Sequence, residues 1–255
     1  ALDYLVKVRG FSFVEAVETL MGKAAIMPTL TVKPKQSEKP KILLLPEKSK
    51  TTDKIKEYLF SRGIDGAITD ECIKKGVIFE SLPYHNIVFA GFDENRKPKY
   101  AAFRATNSRR ILGDCSGSDK HYSFRLADSE SNEVHLFECA IDLLSYATLS
   151  KLSGKDWRQE NLVSLAGVYL PKEKIEDSTT PAAVIKYLAE RPDIQKIHIH
   201  FDNDNAGRKA TQALKVILPK RYEIFDEPPK KGKDYNDYLC IQLGIWKSKE
   251  RNFER

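Results

Sequence analysis

The sequence predicts an α/β fold: a parallel sheet flanked by helices, preceded by a smaller α+β subdomain. Three observations carry this reading. From residue 133 onward, short apolar strand-like runs alternate with helix-like runs, the pattern of a parallel sheet covered on both faces. Between residues 53 and 105, two helix-like runs precede a hairpin-like pair, which is an α+β order. Acidic residues fall just after three of the later strand-like runs, where open α/β sheets gather ligands.

The elements follow in chain order. The chain opens at Ala1 rather than Met, as a fragment would. Ser12 and Glu15 form a capping box, and Phe13, Val14, Val17, Leu20 and Met21 share one helical stripe that Gly22 ends. Residues 28–41 hold three prolines and four lysines with few apolar side chains, and read as a linker. Residues 53–61 and 65–75 read as short helices stopped by Gly63 and Gly76. Residues 86–92 and 99–105 read as strands joined by the polar turn 93–98. Then come strands at 133–138, 161–167, 196–201 and 222–228. Helices at 140–149 and 206–218 alternate with them, and another begins at Asp234. A further helix is capped by Thr180 with Pro181 at its first position, and carries Val184, Ile185 and Leu188. The expected divisions are a helical tail over 1–27, the linker over 28–41, a basic α+β subdomain over 42–128 and an α/β domain over 129–255.

Composition narrows the classes. A chain of 255 residues with 41% hydrophobic side chains can bury a real core, which excludes disorder and collagen. No apolar run approaches the roughly 20 residues of a membrane span, so no membrane partner is expected. Cys72, Cys115, Cys139 and Cys240 are scattered with no C-x-x-C. This excludes a paired-cysteine zinc knuckle and fits a reducing, cytoplasmic setting; no zinc is expected in the chain. The net charge of +6 permits nucleic-acid binding without requiring it.

Glu138 closes the first strand of the α/β region, with Asp142 in the first turn of the next helix. Asp202 and Asp204 close the third strand, and Asp234 and Asp237 follow the fourth. Carboxylates gathered in a partly dry site repel one another, and a hard divalent cation relieves the repulsion. Mg²⁺ prefers oxygen ligands and keeps waters or substrate phosphates in its shell. The helix start at Ala206-Gly207, with Arg208 and Lys209 beside it, suits a phosphate. Asp204 and Asp142 are also ordinary capping or dipole-favoured positions. Acids at three strand ends together favour the metal.

These residues carry a family resemblance. The set resembles the TOPRIM domain of bacterial primases, topoisomerases and related nucleases, which places a Glu after its first strand and an Asp-x-Asp after its third. The run from Phe137 through Glu138, Cys139, Ala140 and Ile141 to Asp142 is similar to the first primase motif, with Cys139 where primases usually have Gly. The run from Phe201 to Gly207 is similar to the second, and Gly232-Lys233-Asp234-Tyr235-Asn236-Asp237 to a third stretch of the primase branch. Upstream, Tyr58-Leu59-Phe60-Ser61-Arg62-Gly63 resembles the signature opening a primase catalytic core. The hairpin ending at Phe103-Arg104, with the run from Ser116 to Tyr122, resembles its basic subdomain. Residues 1–21 resemble the tail of the primase zinc-binding module, without the zinc ligands. Ile64-Asp65 and the run 117–120 best suit the primase-like proteins of mobile elements and plasmids.

The resemblance implies a metal-dependent nucleotidyltransferase that makes short RNA primers on single-stranded DNA from nucleoside triphosphates. Glu138, Asp202 and Asp204 are the implied catalytic set, holding Mg²⁺ or Mn²⁺, with Asp142 and Asp234 supporting or extending the site. A helicase or another replication or mobilisation protein is the further partner it implies. Two alternatives stay open: a TOPRIM-type nuclease, and a non-catalytic DNA-binding module of a mobile-element protein.

Residues 95–125 hold eight basic and two acidic side chains, an excess of +6, with Tyr100, Phe103, Tyr122 and Phe124 interleaved. Cations that neutralise phosphates beside rings that stack on bases suit a single-stranded template. Arg104, Arg109, Arg110 and Lys120, with His121 and Tyr122, are the expected contacts in this stretch. Arg62, Arg208, Lys209 and Lys233 complete the nucleotide-binding set. His135, His198 and His200 read as satisfied sheet histidines, since no third nitrogen or sulfur ligand lies near in sequence. Cys139 has no base partner to make it a nucleophile, and Trp157 and Trp246 read as packing residues.

Overall fold

The computed structural model describes residues 42–109, 111–167 and 169–245 of the 255. The expected helical tail, the linker, Arg110 and Trp246 lie outside the described residues. The described residues all belong to one compact unit.

Two helices open it. α1 (Asp53–Ser61) buries Ile55 and Leu59 and leaves Phe60 exposed among charged residues. α2 (Gly66–Lys74) starts at Asp65, whose carboxylate accepts the N–H groups of Ala67 and Ile68, supplying partners the first turn lacks. An antiparallel sheet follows in the order β1 (Ile78–Glu80), β2 (Ile87–Phe92), β3 (Pro98–Arg104), β4 (Leu112–Asp114). The β2–β3 pair is the predicted hairpin, and Asp93 closes its turn by accepting from Asn95 and Lys97. β1 and β4 are three residues each, too short for an alternating pattern to show in sequence.

The second sheet has the order β5-β7-β6-β8-β9. Its strands are β5 (Arg125–Leu126), β6 (Glu133–Phe137), β7 (Asn161–Ser164), β8 (Lys196–Ile199) and β9 (Glu223–Asp226). All pairings are parallel except β5 with β7. Helices α3 (Ala140–Leu152), α4 (Ala182–Glu190), α5 (Asn205–Ile217) and α6 (Tyr235–Gln242) connect and cover it. Period-two alternation splits β6 between two cores. Val134 and Leu136 pack with Val184, Ala210 and Leu214 of α4 and α5. Phe137 packs with Ile141 of α3, Leu239 of α6, and also Ile55, Ile68 and Phe89 of the first half. One core therefore runs under both sheets. Phe137 is fully buried there, and truncating such a ring to Ala costs about 3–5 kcal/mol.

Several boundaries differ from the sequence reading: the strand expected over 161–167 ends at Ser164, and the one expected over 222–228 spans Glu223–Asp226. Thr180 does not cap α4: Pro181, in extended geometry, flanks a helix that starts at Ala182, and no side chain caps it. The strand expected over 196–201 ends at Ile199, although the N–H of His200 still donates to the Leu136 carbonyl. Arg125–Leu126, which precede the expected boundary at 128, join the second sheet.

The order β7-β6-β8 fixes the position of the site. The chain leaves the central strand β6 for one neighbour and later returns to the other. Helices thus depart in opposite directions from the carboxyl ends of β6 and β8, which opens a crevice between them.

Candidate active site

Glu138 and Asp202 meet in that crevice. Glu138 follows β6 and is buried, and its Oε1 accepts the main-chain N–H of Asp202 at 3.1 Å. Asp204 caps α5 by accepting the N–H of Gly207 at 2.9 Å. A Cβ on Gly207 would lie 2.2 Å from the Asp202 carbonyl oxygen, so glycine is what lets the helix start pack on the acidic loop. Lys233 stands between the two aspartates, its Nζ 3.1 Å from Oδ2 of each. Gly232, at φ +79, makes the left-handed turn that delivers it. The Asn203 N–H donates to the Lys233 carbonyl at 2.7 Å, tying the two loops together.

Asp142 and Asp234 lie on the other flank. Asp142 is buried in the first turn of α3, where it accepts the Cys139 thiol at 2.9 Å and the Asn236 N–H at 3.4 Å. Asp234 caps α6 by accepting from the Asp237 N–H at 2.7 Å. Asn236 is the joint between these parts. Its Oδ1 accepts from Arg62 at 2.7 Å, and its Nδ2 donates to the Arg62 carbonyl and to Ser145 Oγ. The sequence reading quoted Asn236 within a motif but gave it no task. Its residue type, a buried amide with donors and acceptors on both sides, is the signal for one.

The electrostatics follow from burial. Glu138 is pushed up to about 7, first by burial and then by the Asp202 charge. Asp142 is raised by burial and by Asp234, and Asp202 by burial against the opposing pull of Lys233. Asp204 goes the other way, held down by the Gly207 N–H at the helix start. Lys233 is held well above its ordinary value by Asp202 and Asp204. Cys139 is pushed up by burial, so it stays a thiol donor and not a nucleophile.

The donor set fits a hard divalent ion. It offers only carboxylate oxygens, burial and mutual repulsion push Glu138, Asp142 and Asp202 up, and a cationic ammonium already stands between Asp202 and Asp204. Mg²⁺ takes oxygen ligands, binds through one or two carboxylates and keeps its waters. Glu138, Asp202 and Asp204 would hold it, with Asp142 and Asp234 behind them.

The expected basic contacts divide into two groups. Arg208 is taken up structurally, donating to the Phe201 and Asp202 carbonyls and to Asp226 Oδ1. Lys120 donates to the Ala166 carbonyl at 3.0 Å and pairs with Asp114. His121 pairs with Asp119, and Tyr122 lies under Lys186. Arg62 is joined to Asn236. Lys209 is exposed on α5, and Arg109 is exposed in the loop before β4. Arg104, at the end of β3, lines a cavity of about 120 Å³ with Tyr100, Phe103, Cys139 and Ala140. That cavity joins the hairpin to the start of α3, two residues past Glu138.

A parallel sheet with Glu after its first strand and Asp-x-Asp after its third defines a Toprim-type domain. Residues 135–239 match the family model described as Toprim-like. Residues 57–130 match a second model, described as Protein of unknown function (DUF3991). The chain is 26% identical over 197 residues to the uncharacterized protein pXO2-78 of Bacillus anthracis, covering 68% of this chain and 49% of that protein. It thus spans about half the length of that curated relative. Among solved structures it resembles the E. coli primase catalytic core, at 13% identity and TM-score 0.50, over 76% of this chain and 70% of that one. It also resembles the RNA polymerase domain of Mycobacterium tuberculosis primase DnaG, at 15% identity and TM-score 0.50, over 77% and 74% of the two chains. The fold is that of DnaG-type primase catalytic cores. No helix among the described residues is long and apolar enough to cross a membrane.

Proposed function

We propose that this chain is a primase-like, metal-dependent nucleotidyltransferase that makes short RNA primers on a single-stranded DNA template. The observation that supports it most is the Glu138–Asp202 contact at the crevice of a Toprim-type sheet, within reach of the cavity that Arg104 lines. A bound Mg²⁺ or Mn²⁺ would neutralise the triphosphate and the charge developing during in-line displacement. Glu138, Asp202 and Asp204 hold that charge in place. Lys233, which stands between the aspartates, would be free to meet the phosphates where a cation takes its place. Arg104 and Arg109, whose side chains make no hydrogen bond or ion pair among the described residues, guide template or triphosphate together with Lys209 and the Lys120–Tyr122 turn, and Arg110 is a further basic contact the sequence offers. A helicase or mobilisation protein of a plasmid-type element is the expected partner, and the cytoplasm the expected setting.

The same carboxylates serve phosphodiester hydrolysis if water replaces the 3′-hydroxyl as nucleophile. One assay separates the readings: labelled single-stranded DNA with nucleotides and Mg²⁺ or Mn²⁺. New primers support the proposal, shortened DNA supports a nuclease, and a salt-sensitive mobility shift alone supports a binding module.

A further inference from the structure

A second cluster of metal-ligating side chains lies on the second sheet, upstream of the acidic crevice. His135 of β6 and His198 of β8 are partners in register, their rings 4.5 Å apart and nearly parallel. His200 lies beside them, its ring 5.1 Å from that of His135. Sequence distance hid this arrangement: His135 arrives from another strand.

The hydrogen bonds assign the tautomers. The Tyr235 hydroxyl donates to the Glu227 carbonyl at 2.9 Å, so its oxygen accepts from Nδ1–H of His200 at 2.8 Å. Nε2 of His200 then accepts from Nδ1–H of His135 at 2.8 Å. This chain leaves Nε2 of His135 as an unprotonated lone pair. His198 has both ring nitrogens buried with no hydrogen bond. Its Nε2 lies 3.3 Å from Oε2 of Glu133 and its Nδ1 3.3 Å from Oε2 of Glu227. Donor atoms of Glu133, His135 and His198 lie within 4.8 Å of one another.

We propose that Glu133, His135 and His198 form a second divalent-metal site, built for Zn²⁺ and separate from the acidic Mg²⁺-type site. Two imidazoles and a carboxylate are a zinc donor set, whereas Mg²⁺ takes oxygen. The two nitrogens of His198 face carboxylates without a hydrogen bond, so Nε2, beside Glu133, would bind the ion and Nδ1, protonated, would serve Glu227. The His135–His200–Tyr235 relay is the outer support a ligating histidine ordinarily has, orienting the ring through its other nitrogen. Lys196 binds Oε1 of Glu133 at 2.7 Å and leaves Oε2 for the ion. Closing on a shared ion takes a tilt of the two stacked rings about their Cβ–Cγ bonds. The ion would clamp β6 to β8, the two strands whose ends carry Glu138 and Asp202, with water in its fourth position.

The test uses the full chain, stripped of metal and titrated with Zn²⁺ against a chromogenic chelator, and with Co²⁺ for its visible d–d bands. Four proteins are compared: the parent chain, Asp202→Ala/Asp204→Ala, His198→Gln and Glu133→Gln. The proposal predicts one tightly bound Zn²⁺ in the parent and in the aspartate double variant, not displaced by excess Mg²⁺. Affinity falls at least tenfold in His198→Gln and in Glu133→Gln. Glu133 lies at the partly exposed start of β6, so Glu133→Gln decides the matter if His198→Gln fails to fold. No bound zinc in the parent, zinc lost with the aspartates, or unchanged affinity in the folded ligand variants overturns it.

Discussion

The main-chain N–H of Asp202 donates to Oε1 of Glu138 over 3.1 Å. That bond joins the ends of two adjacent strands whose residues are 64 positions apart, and it fixes the spacing of the carboxylates an ion would share. The other contacts in the crevice offset its negative charge: Lys233 lies 3.1 Å from both Asp202 and Asp204.

Metal binding is expected to strengthen with pH, by a sign that can be worked out. Glu138 is raised from 4.5 to about 7 in the folded chain, so between those values the folded state holds more protons than the unfolded one. Stability contributed by this group is therefore lost as pH rises through that window. A divalent ion offsets the loss by replacing the proton. Thermal unfolding should show a larger upward shift of Tm with Mg²⁺ at pH 8 than at pH 6; an equal shift at both contradicts the assignment.

Glu138→Gln should uncouple stability from activity. Without metal the variant is expected to be more stable than the parent at pH 8, by roughly 1–3 kcal/mol, because it removes a buried charge beside Asp202. Primer synthesis should fall by orders of magnitude in the same protein. Urea unfolding and a primer assay on one preparation check both halves.

Asn236→Ala should be costly in both respects. The side chain is buried and holds Arg62, Ser145 and the segment facing Asp142, so its loss strands several polar groups at roughly 1–3 kcal/mol. A double-mutant cycle with Arg62→Ala should give a coupling of about 1–3 kcal/mol. Strictly additive effects would mean that the Arg62–Asn236 bond carries nothing.

Gly207→Ala tests the packing of α5 on the acidic loop. Its new methyl would meet the Asp202 carbonyl oxygen at 2.2 Å, so the loop or the helix must move. Activity is expected to drop about 100-fold, since displacement of the order of 1 Å at a reacting centre has that effect, while circular dichroism stays near that of the parent.

Much of this architecture is legible in the sequence because the signals are local. The helix at 53–61, the 87–104 hairpin and the strand–helix alternation after 133 rest on periodicity and caps, and the structure has them within a few residues. The acids are legible for the same reason: Glu138, Asp202 and Asp234 sit at strand and helix ends that local patterns mark. What is hidden depends on register between distant segments. The two-residue strand at Arg125 has no periodic signal. Lys233 reads as a phosphate contact until the fold sets it between Asp202 and Asp204. His135 and His198 are 63 positions apart, and only parallel pairing of β6 with β8 stacks them. Arg208 reads as an anion binder, but the loop it follows folds back to claim its guanidinium.

The central claim, that the acidic crevice performs nucleotide transfer, is tested most directly by Asp202→Ala/Asp204→Ala in the primer-synthesis assay with Mg²⁺ or Mn²⁺. The account predicts primers from the parent chain and none from the variant, at an unchanged circular dichroism spectrum. Equal primer yield from the two proteins, or no primers from the folded parent with either metal, would contradict it.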